Sequence, residues 1–192
     1  MTLPPRSDTL AAVILIGGTA ARLGGADKAS LEVGGRTLLE HAIAATLDAT
    51  AVVVVGERRP TTRQVAWTRE DPPGGGPAAG LLAGVDALGS EYDLVCALAV
   101  DMPRVGAATV TRLCEAVGDH DGALLVDADG RRQPLAAVYR RTALERVRPP
   151  SREDERGLPL RRLLRDLALV EVAAHGDEAR DVDTWTDLRE LG

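Results

Sequence analysis

Leu10-Ala-Ala-Val-Ile-Leu-Ile16-Gly-Gly-Thr-Ala-Ala-Arg22-Leu-Gly-Gly-Ala-Asp-Lys28 is the stretch on which the reading of this chain turns. Its opening, Leu10 to Ile16, is a continuous apolar run of strand length that stops at Gly17-Gly18. A run without polar alternation fits a strand buried on both faces, as in a parallel sheet. The loop that follows is not a GxGxxG dinucleotide pattern. Nor is it a Walker loop, because Gly24 is followed by Gly25 rather than by Lys and Ser or Thr. It still has the make-up of an anion cradle. Gly17, Gly18, Gly24 and Gly25 let backbone amides approach phosphate oxygens without a Cβ in the way. Arg22 and Lys28 add two positive charges to the same loop. Glycine pairs alone would favour a flexible turn, and the two cations shift the reading to the phosphate site. Lys28 is the only lysine among 23 basic residues. An ammonium is a compact point charge where a guanidinium is a broad fork, so a tight phosphate-facing position is a reason to keep a lysine.

Working outward, apolar runs alternate with helical segments. Thr37 to Ala49 has helical spacing, with Leu38, Ala42, Ala45 and Ala49 on one side. Ala51 to Val55 is a second buried strand, and Gln64 to Thr68 a short third. The Gly and Pro content of Asp71 to Pro77 makes a loop. Helices are expected over Ala78 to Leu88 and Ala107 to Val117, and strands over Tyr92 to Val100, Gly122 to Val126 and Leu135 to Tyr139. Arg148 to Gly157 reads as loop, Leu158 to Leu167 as an Arg-rich helix, and Ala168 to Val172 as a strand. Thr184 to Leu191 is a closing helix with Thr184 as candidate N-cap. This alternation predicts a three-layer α/β/α, Rossmann-like fold with a mostly parallel sheet. Ligands of such sheets sit at the carboxyl ends of the strands. The loops Gly17 to Lys28, Asp71 to Gly80 and Asp101 to Pro103 each follow a strand and are expected to converge there.

Composition narrows the function. The length of 192 residues suits one domain spanning 1–192, with 1–9 expected to be flexible. A formal charge of −6 argues against nonspecific nucleic-acid binding, and 2% aromatics against a base-stacking platform. Cys96 and Cys114 lack a CxxC partner and read as small core residues, so no zinc site or disulfide framework is expected. The segment Met1 to Thr9 is polar with Pro4 and Pro5, unlike a secretory leader, and no apolar run reaches membrane-span length. A cytoplasmic protein is the expectation.

Two acidic positions complete the chemistry. Asp101 ends an apolar strand in Val100-Asp101-Met102-Pro103, where a carboxylate needs a partner or a metal. Beside phosphates it would suit Mg2+, which takes few carboxylates and fills its shell with water and phosphate; a cap for the next helix is the plainer role. Asp181 and Asp183 alternate, so on an extended segment both face one side. Either would serve as a second Mg2+ ligand, or both as solvated loop carboxylates.

These residues together resemble the nucleotidyltransferases of the nucleotide-diphospho-sugar transferase fold, and within them the molybdenum cofactor guanylyltransferase family. The similarity runs from about Thr9 to Leu191. In the first loop it rests on Leu15, Gly17, Gly18, Arg22, Gly24, Asp27 and Lys28. Gly76-Pro77-Ala78-Ala79-Gly80 resembles the family's GPLAG, with Asp71 at an upstream acidic position. Asp101-Met102-Pro103 resembles its DxP, Gln133 to Tyr139 its QPLxAxY, and Asp183-Thr184 with Asp187-Leu188 its terminal NTPEDL. Departures are Ile16 for Ala, Val55-Gly56 where Asn is common, Asp183 for Asn, and Trp185-Thr186 for Pro-Glu.

The resemblance implies transfer of GMP from GTP to the terminal phosphate of molybdenum-molybdopterin, with release of pyrophosphate. Gly17-Gly18 resembles guanylyl members, where cytidylyl members tend to have Ala-Gly. By the same resemblance Arg22, Lys28 and Asp101 are catalytic. Nucleotide binding falls to Leu15, Ile16, Gly17, Gly18, Lys28, Asp71, Gly76, Pro77, Gly80 and Asp101, and Mg2+ binding to Asp101 and Asp183. Arg131, Arg132, Arg161 and Arg162 are candidates for the anionic acceptor, or solvated surface charges. Molybdoenzymes or cofactor-insertion proteins are implied partners. The competing readings are a CTP-dependent molybdenum cofactor cytidylyltransferase, a 2-phospholactate guanylyltransferase and a non-catalytic nucleotide-binding adaptor.

Overall fold

The faces of β1 (Leu10–Leu15) build two cores at once. Ala12 and Ile14 are buried in one, and Ala11, Val13 and Leu15 in the other. A strand flanked on both faces has no solvent side, which is why its sequence carries no polar alternation. β4 (Ala51–Val55) and β6 (Leu94–Ala99) lie on either side of β1, both parallel to it, with Val13 opposite Val53 and Ala97. The computed structural model describes residues 8–17 and 26–191.

Among the described residues the main sheet has seven strands in the order β5-β4-β1-β6-β8-β7-β9. β5 is Ala66–Thr68, β7 Gly122–Val126, β8 Arg132–Arg140 and β9 Leu169–Ala173. β8 runs antiparallel to both neighbours, whereas β4–β5 and β7–β9 pair in parallel. One face is covered by α1 (Leu38–Ala45) and α3 (Ala107–Val117), together with Val182 and with Leu191 of α7 (Trp185–Leu191). The other is covered by α2 (Pro77–Ala87), α4 (Arg141–Val147) and α6 (Leu160–Leu163). This is the expected three-layer α/β/α architecture. Cys96 is buried in the core, Cys114 packs against it, and both are free thiols.

Several boundaries differ from expectation. The helix expected over Thr37 to Ala49 stops at Ala45, because the Thr46 hydroxyl turns back onto the Ile43 carbonyl at 2.9 Å. The loop expected over Arg148 to Gly157 contains one helical turn, α5 (Arg152–Glu155), capped by Ser151. The helix expected over Leu158 to Leu167 shrinks to α6, whose start is set by Pro159. The strand expected over Leu135 to Tyr139 extends to nine residues in β8. A small hairpin of β2 (Glu32–Val33) and β3 (Arg36–Thr37) and the helix α4 were not anticipated. Gly34 and Gly35, at φ 58° and 74°, turn that hairpin in the conformation that two-residue turns favour. Thr9, expected in a flexible start, is held by Asp93 and by the carbonyl of Glu91.

The chain runs from β1 outward to β4 and β5, then returns to β6 on the other side of β1. Strand order therefore reverses between β1 and β6, and a crevice opens at their carboxyl ends.

Candidate active site

Described residues of all three loops meet at that crevice. Leu15, Ile16 and Gly17 at the end of β1, Gly74, Gly76, Pro77 and Gly80 around the start of α2, and Ala99, Val100 and Asp101 at the end of β6 line a cleft of about 680 Å³. Ladder hydrogen bonds continue past the strand ends and fix the loops' departure. The Ile16 N–H donates to the Val55 carbonyl at 3.2 Å, and the Val100 N–H to the Leu15 carbonyl at 3.1 Å. Pro77 sits in the first turn of α2, where its missing N–H costs nothing, and Gly76 before it takes φ 89°, a glycine conformation. The amino end of α2 thus opens on the cleft, where free N–H groups favour an anion.

Lys28 stands on a short 3-10 turn, Lys28–Ser30, capped by the Asp27 carboxylate. Its Nζ donates to Asp101 Oδ2 at 3.2 Å and to Asp183 Oδ1 at 2.7 Å, and the side chain is 12% exposed. Burial alone would lower the Lys28 pKa, but the Asp183 and Asp101 carboxylates outweigh it and hold it above its ordinary value. Partial burial, then the negative charges of Asp183 and Asp101, push the Asp181 carboxyl up. The chain's end holds this cluster in place. The Val182 N–H donates to the Asp101 carbonyl at 2.8 Å, and Val182 is fully buried. The Asp187 carboxylate accepts from the N–H groups of Asp183 and Thr184 at 3.2 and 2.7 Å, and the Thr184 hydroxyl caps Asp187 in return.

A second set of charges lines the same cleft. Arg59 donates to Asp27 at 2.7 Å and to Glu57 at 3.3 Å, and Arg69 lies 3.7 Å from Glu57. Glu57, Arg59, Arg69 and Glu70 all face the cleft. Burial would raise the Asp27 carboxyl, but its bonds from Arg59 and Ser30 prevail and keep it below its ordinary value. Sequence reasoning missed these four residues. Their one signal was position, since they follow β4 and β5 at the edge where β1 and β6 also end.

Other expected site residues lie elsewhere. Asp71 lines a small side pocket with Glu70, Gly75, Ala79, Arg152, Glu155 and Arg156, whereas its neighbour Glu70 lines both that pocket and the cleft. Arg131 pairs with Asp129 and Arg132 with Glu171, both at the surface, and Arg161 and Arg162 are exposed on α6. Gly18, Arg22, Gly24 and Gly25 lie outside the described residues. Among the described residues no group of three or more His, Cys, Asp or Glu forms a metal site, and no helix is long and apolar enough to cross a membrane. Asp101 and Asp183, both bonded to Lys28, are two neighbouring carboxylates, a pair that would suit a cation which takes one or two carboxylates and completes its shell from phosphate and water.

Comparison with known proteins agrees with this fold. Residues 12–173 match the family model of the MobA-like NTP transferase domain. A probable molybdenum cofactor guanylyltransferase of Opitutus terrae is 34% identical over 188 residues, covering 93% of this chain and 91% of that one. Another from Methanosarcina acetivorans is 31% identical, covering 94% and 84%. Among solved structures, the molybdopterin-guanine dinucleotide biosynthesis protein A of Archaeoglobus fulgidus superposes with TM-score 0.70 at 18% identity, over 94% of this chain and 95% of that one. The 2-C-methyl-D-erythritol 4-phosphate cytidylyltransferase of Thermus thermophilus gives TM-score 0.71 at 21% identity, over 93% and 95%. At such identities these structures speak for the fold.

Proposed function

Because this chain belongs to the MobA-like NTP transferase family and is a nucleotidyltransferase, we propose that it transfers GMP from GTP to the terminal phosphate of a molybdopterin-type acceptor. The observation that carries this reading is the single ammonium of Lys28 between Asp101 and Asp183, at the carboxyl ends of β1 and β6. An acceptor phosphate oxygen attacks the α-phosphorus, a new P–O bond forms, and the bond to the β-phosphate bridging oxygen breaks. Pyrophosphate leaves with its electron pair. No covalent protein intermediate is required, because the acceptor is already an anionic nucleophile. Catalysis is then positioning and charge stabilisation.

In this reading the amide edge at Gly17, the amino end of α2 and Lys28 hold the β- and γ-phosphates. Lys28 offsets the charge that grows on the leaving pyrophosphate. Asp101 and Asp183 would hold Mg2+, which would supply further positive charge to the phosphates. The carboxylates of Glu57 and Glu70 would accept the N–H donors of a guanine edge, and Arg59 and Arg69 would face its acceptors. A cytoplasmic setting and delivery of the product to a molybdoenzyme or insertion protein belong to the same reading.

The test mixes protein, Mg2+ and GTP with molybdenum-loaded pterin and looks for dinucleotide and pyrophosphate, with CTP, ATP and UTP as competing donors. GTP should be used in preference to the others. Lys28→Ala and Asp101→Asn should each lower turnover by roughly two to three orders of magnitude while remaining folded. Product formed equally well from CTP, or normal turnover in folded Lys28→Ala, would contradict the assignment.

A further inference from the structure

We propose that Lys28 is the built-in counter-ion of Asp101 and Asp183 in the nucleotide-free protein, so that a divalent cation gains these carboxylates only when a triphosphate draws the ammonium away. The inference rests on the reading above, since it takes the cleft to receive a nucleoside triphosphate and the two carboxylates to receive the metal. One ammonium lies 3.2 Å from Asp101 and 2.7 Å from Asp183, so it occupies the space between the two groups that a metal ion would use. Its side chain is largely shielded from water. A metal ion arriving alone must break two charge-assisted hydrogen bonds and leave that ammonium unpaired in a shielded place. It also meets a like charge at close range.

A triphosphate changes both terms. It gives Lys28 new anionic partners and makes Asp101 Oδ2 and Asp183 Oδ1, the oxygens that Lys28 holds, available to the metal. Binding of the two ligands is therefore cooperative, and the coupling is reciprocal by thermodynamic necessity. A metal ion bound without nucleotide would do no useful work, and this arrangement disfavours that state. It also gives a physical reason for the one lysine in a chain that otherwise uses arginine. A compact ammonium on a flexible stem can move between carboxylate and phosphate, whereas a guanidinium fork binds a carboxylate at two points and holds it.

The single lysine makes the test direct. Protein grown with isotope-labelled lysine gives one side-chain ammonium resonance. Mg2+ alone should leave that resonance in place, and Mg2+ with GTP should move it. In a second arm, Mn2+ binding without nucleotide is followed by electron paramagnetic resonance. Lys28→Met should bind Mn2+ roughly tenfold more tightly than the wild type, and adding Asp101→Asn should abolish the gain. The first arm needs no variant and decides the matter even where Lys28→Met fails to fold. The proposal is overturned if Mg2+ alone moves the lysine resonance as fully as Mg2+ with GTP does. It is overturned equally if folded Lys28→Met binds Mn2+ no more tightly than the wild type. A resonance that answers to neither addition would count against nucleotide binding itself, and the proposal would fall with it.

Discussion

Glu178 and Asp101 are both paired carboxylates, yet their surroundings commit them to different tasks. Glu178 accepts from Arg112 at 2.6 Å, from the Thr109 hydroxyl at 2.7 Å and from the His175 N–H at 2.8 Å. Its partners come from α3 and from the turn beyond β9, so it fastens one to the other. Asp101 shares its ammonium with Asp183 and faces an open cleft. Burial would raise the Glu178 carboxyl, but Arg112 and the two further donors outweigh it and bring it from 4.5 down to about 2. A carboxyl depressed by folding stabilises the protein above its unfolded pKa, and that contribution disappears as pH falls from about 4.5 through about 2. Glu178→Gln should therefore lose roughly 2 kcal/mol at neutral pH and lose less on acidification than the wild type. Urea unfolding at a series of pH values checks this. A variant with the same acid limb as the wild type would show that another group carries it.

At the scale of elements, α2 lies close against the sheet. Gly80 and Gly84 are four residues apart and share one face, which lies against β1 and β4. A Cβ at Gly84 would come within 2.3 Å of Val13 Cγ1 and 3.1 Å of Val55 Cγ2. Alanine is worth about 1 kcal/mol over glycine inside a helix, but overpacking costs about 1–3 kcal/mol. Gly84→Ala should thus lower the unfolding temperature, and Val13→Ala in that background should recover part of the loss. A simple gain in stability would mean that the helix shifts outward freely.

The same elements show what a sequence can tell. β1, β4 and β6 were legible because burial on both faces leaves an unbroken apolar run. α3 was read at its true bounds because its apolar residues keep helical spacing. α4 was missed because only Ala143 and Leu144 of its seven residues are buried, too few to mark a period. The β2–β3 hairpin has two residues per strand, too short for any alternation. The start of β8, Arg132 to Pro134, is exposed or half-buried and falls at and beyond the register shift between Leu124 and Leu125, so no apolar run marks it in the sequence.

At the scale of the molecule, the site is an outcome of topology as much as of motifs. Gly17, Lys28 and Asp101 could be singled out because glycines, a lone lysine and a strand-end carboxylate are locally unusual. Glu57, Arg59 and Arg69 could not, because an exposed ion pair looks like any other until the strand order shows which edge it borders. Asp183 is the instructive case. It lies 155 positions from Lys28, and the segment after β9 must run back beneath the cleft for the two to meet. The Val182 N–H bond to Asp101 and the Arg104 bond to the Leu191 carbonyl anchor that return. None of the described strands lies in this segment. Val182 and Leu191 are its buried apolar residues, worth roughly 4 kcal/mol together. A domain's total stability is about 5–15 kcal/mol, so the sheet should survive their loss. A chain ending at Arg180 is therefore expected to unfold cooperatively at a lower temperature and to give no thermal shift with Mg2+ and GTP. Circular dichroism melting with and without ligand separates the two effects. A full nucleotide shift in the shortened chain would mean that Asp183 is dispensable, and the site would then have to be rebuilt around Asp101 and Lys28 alone.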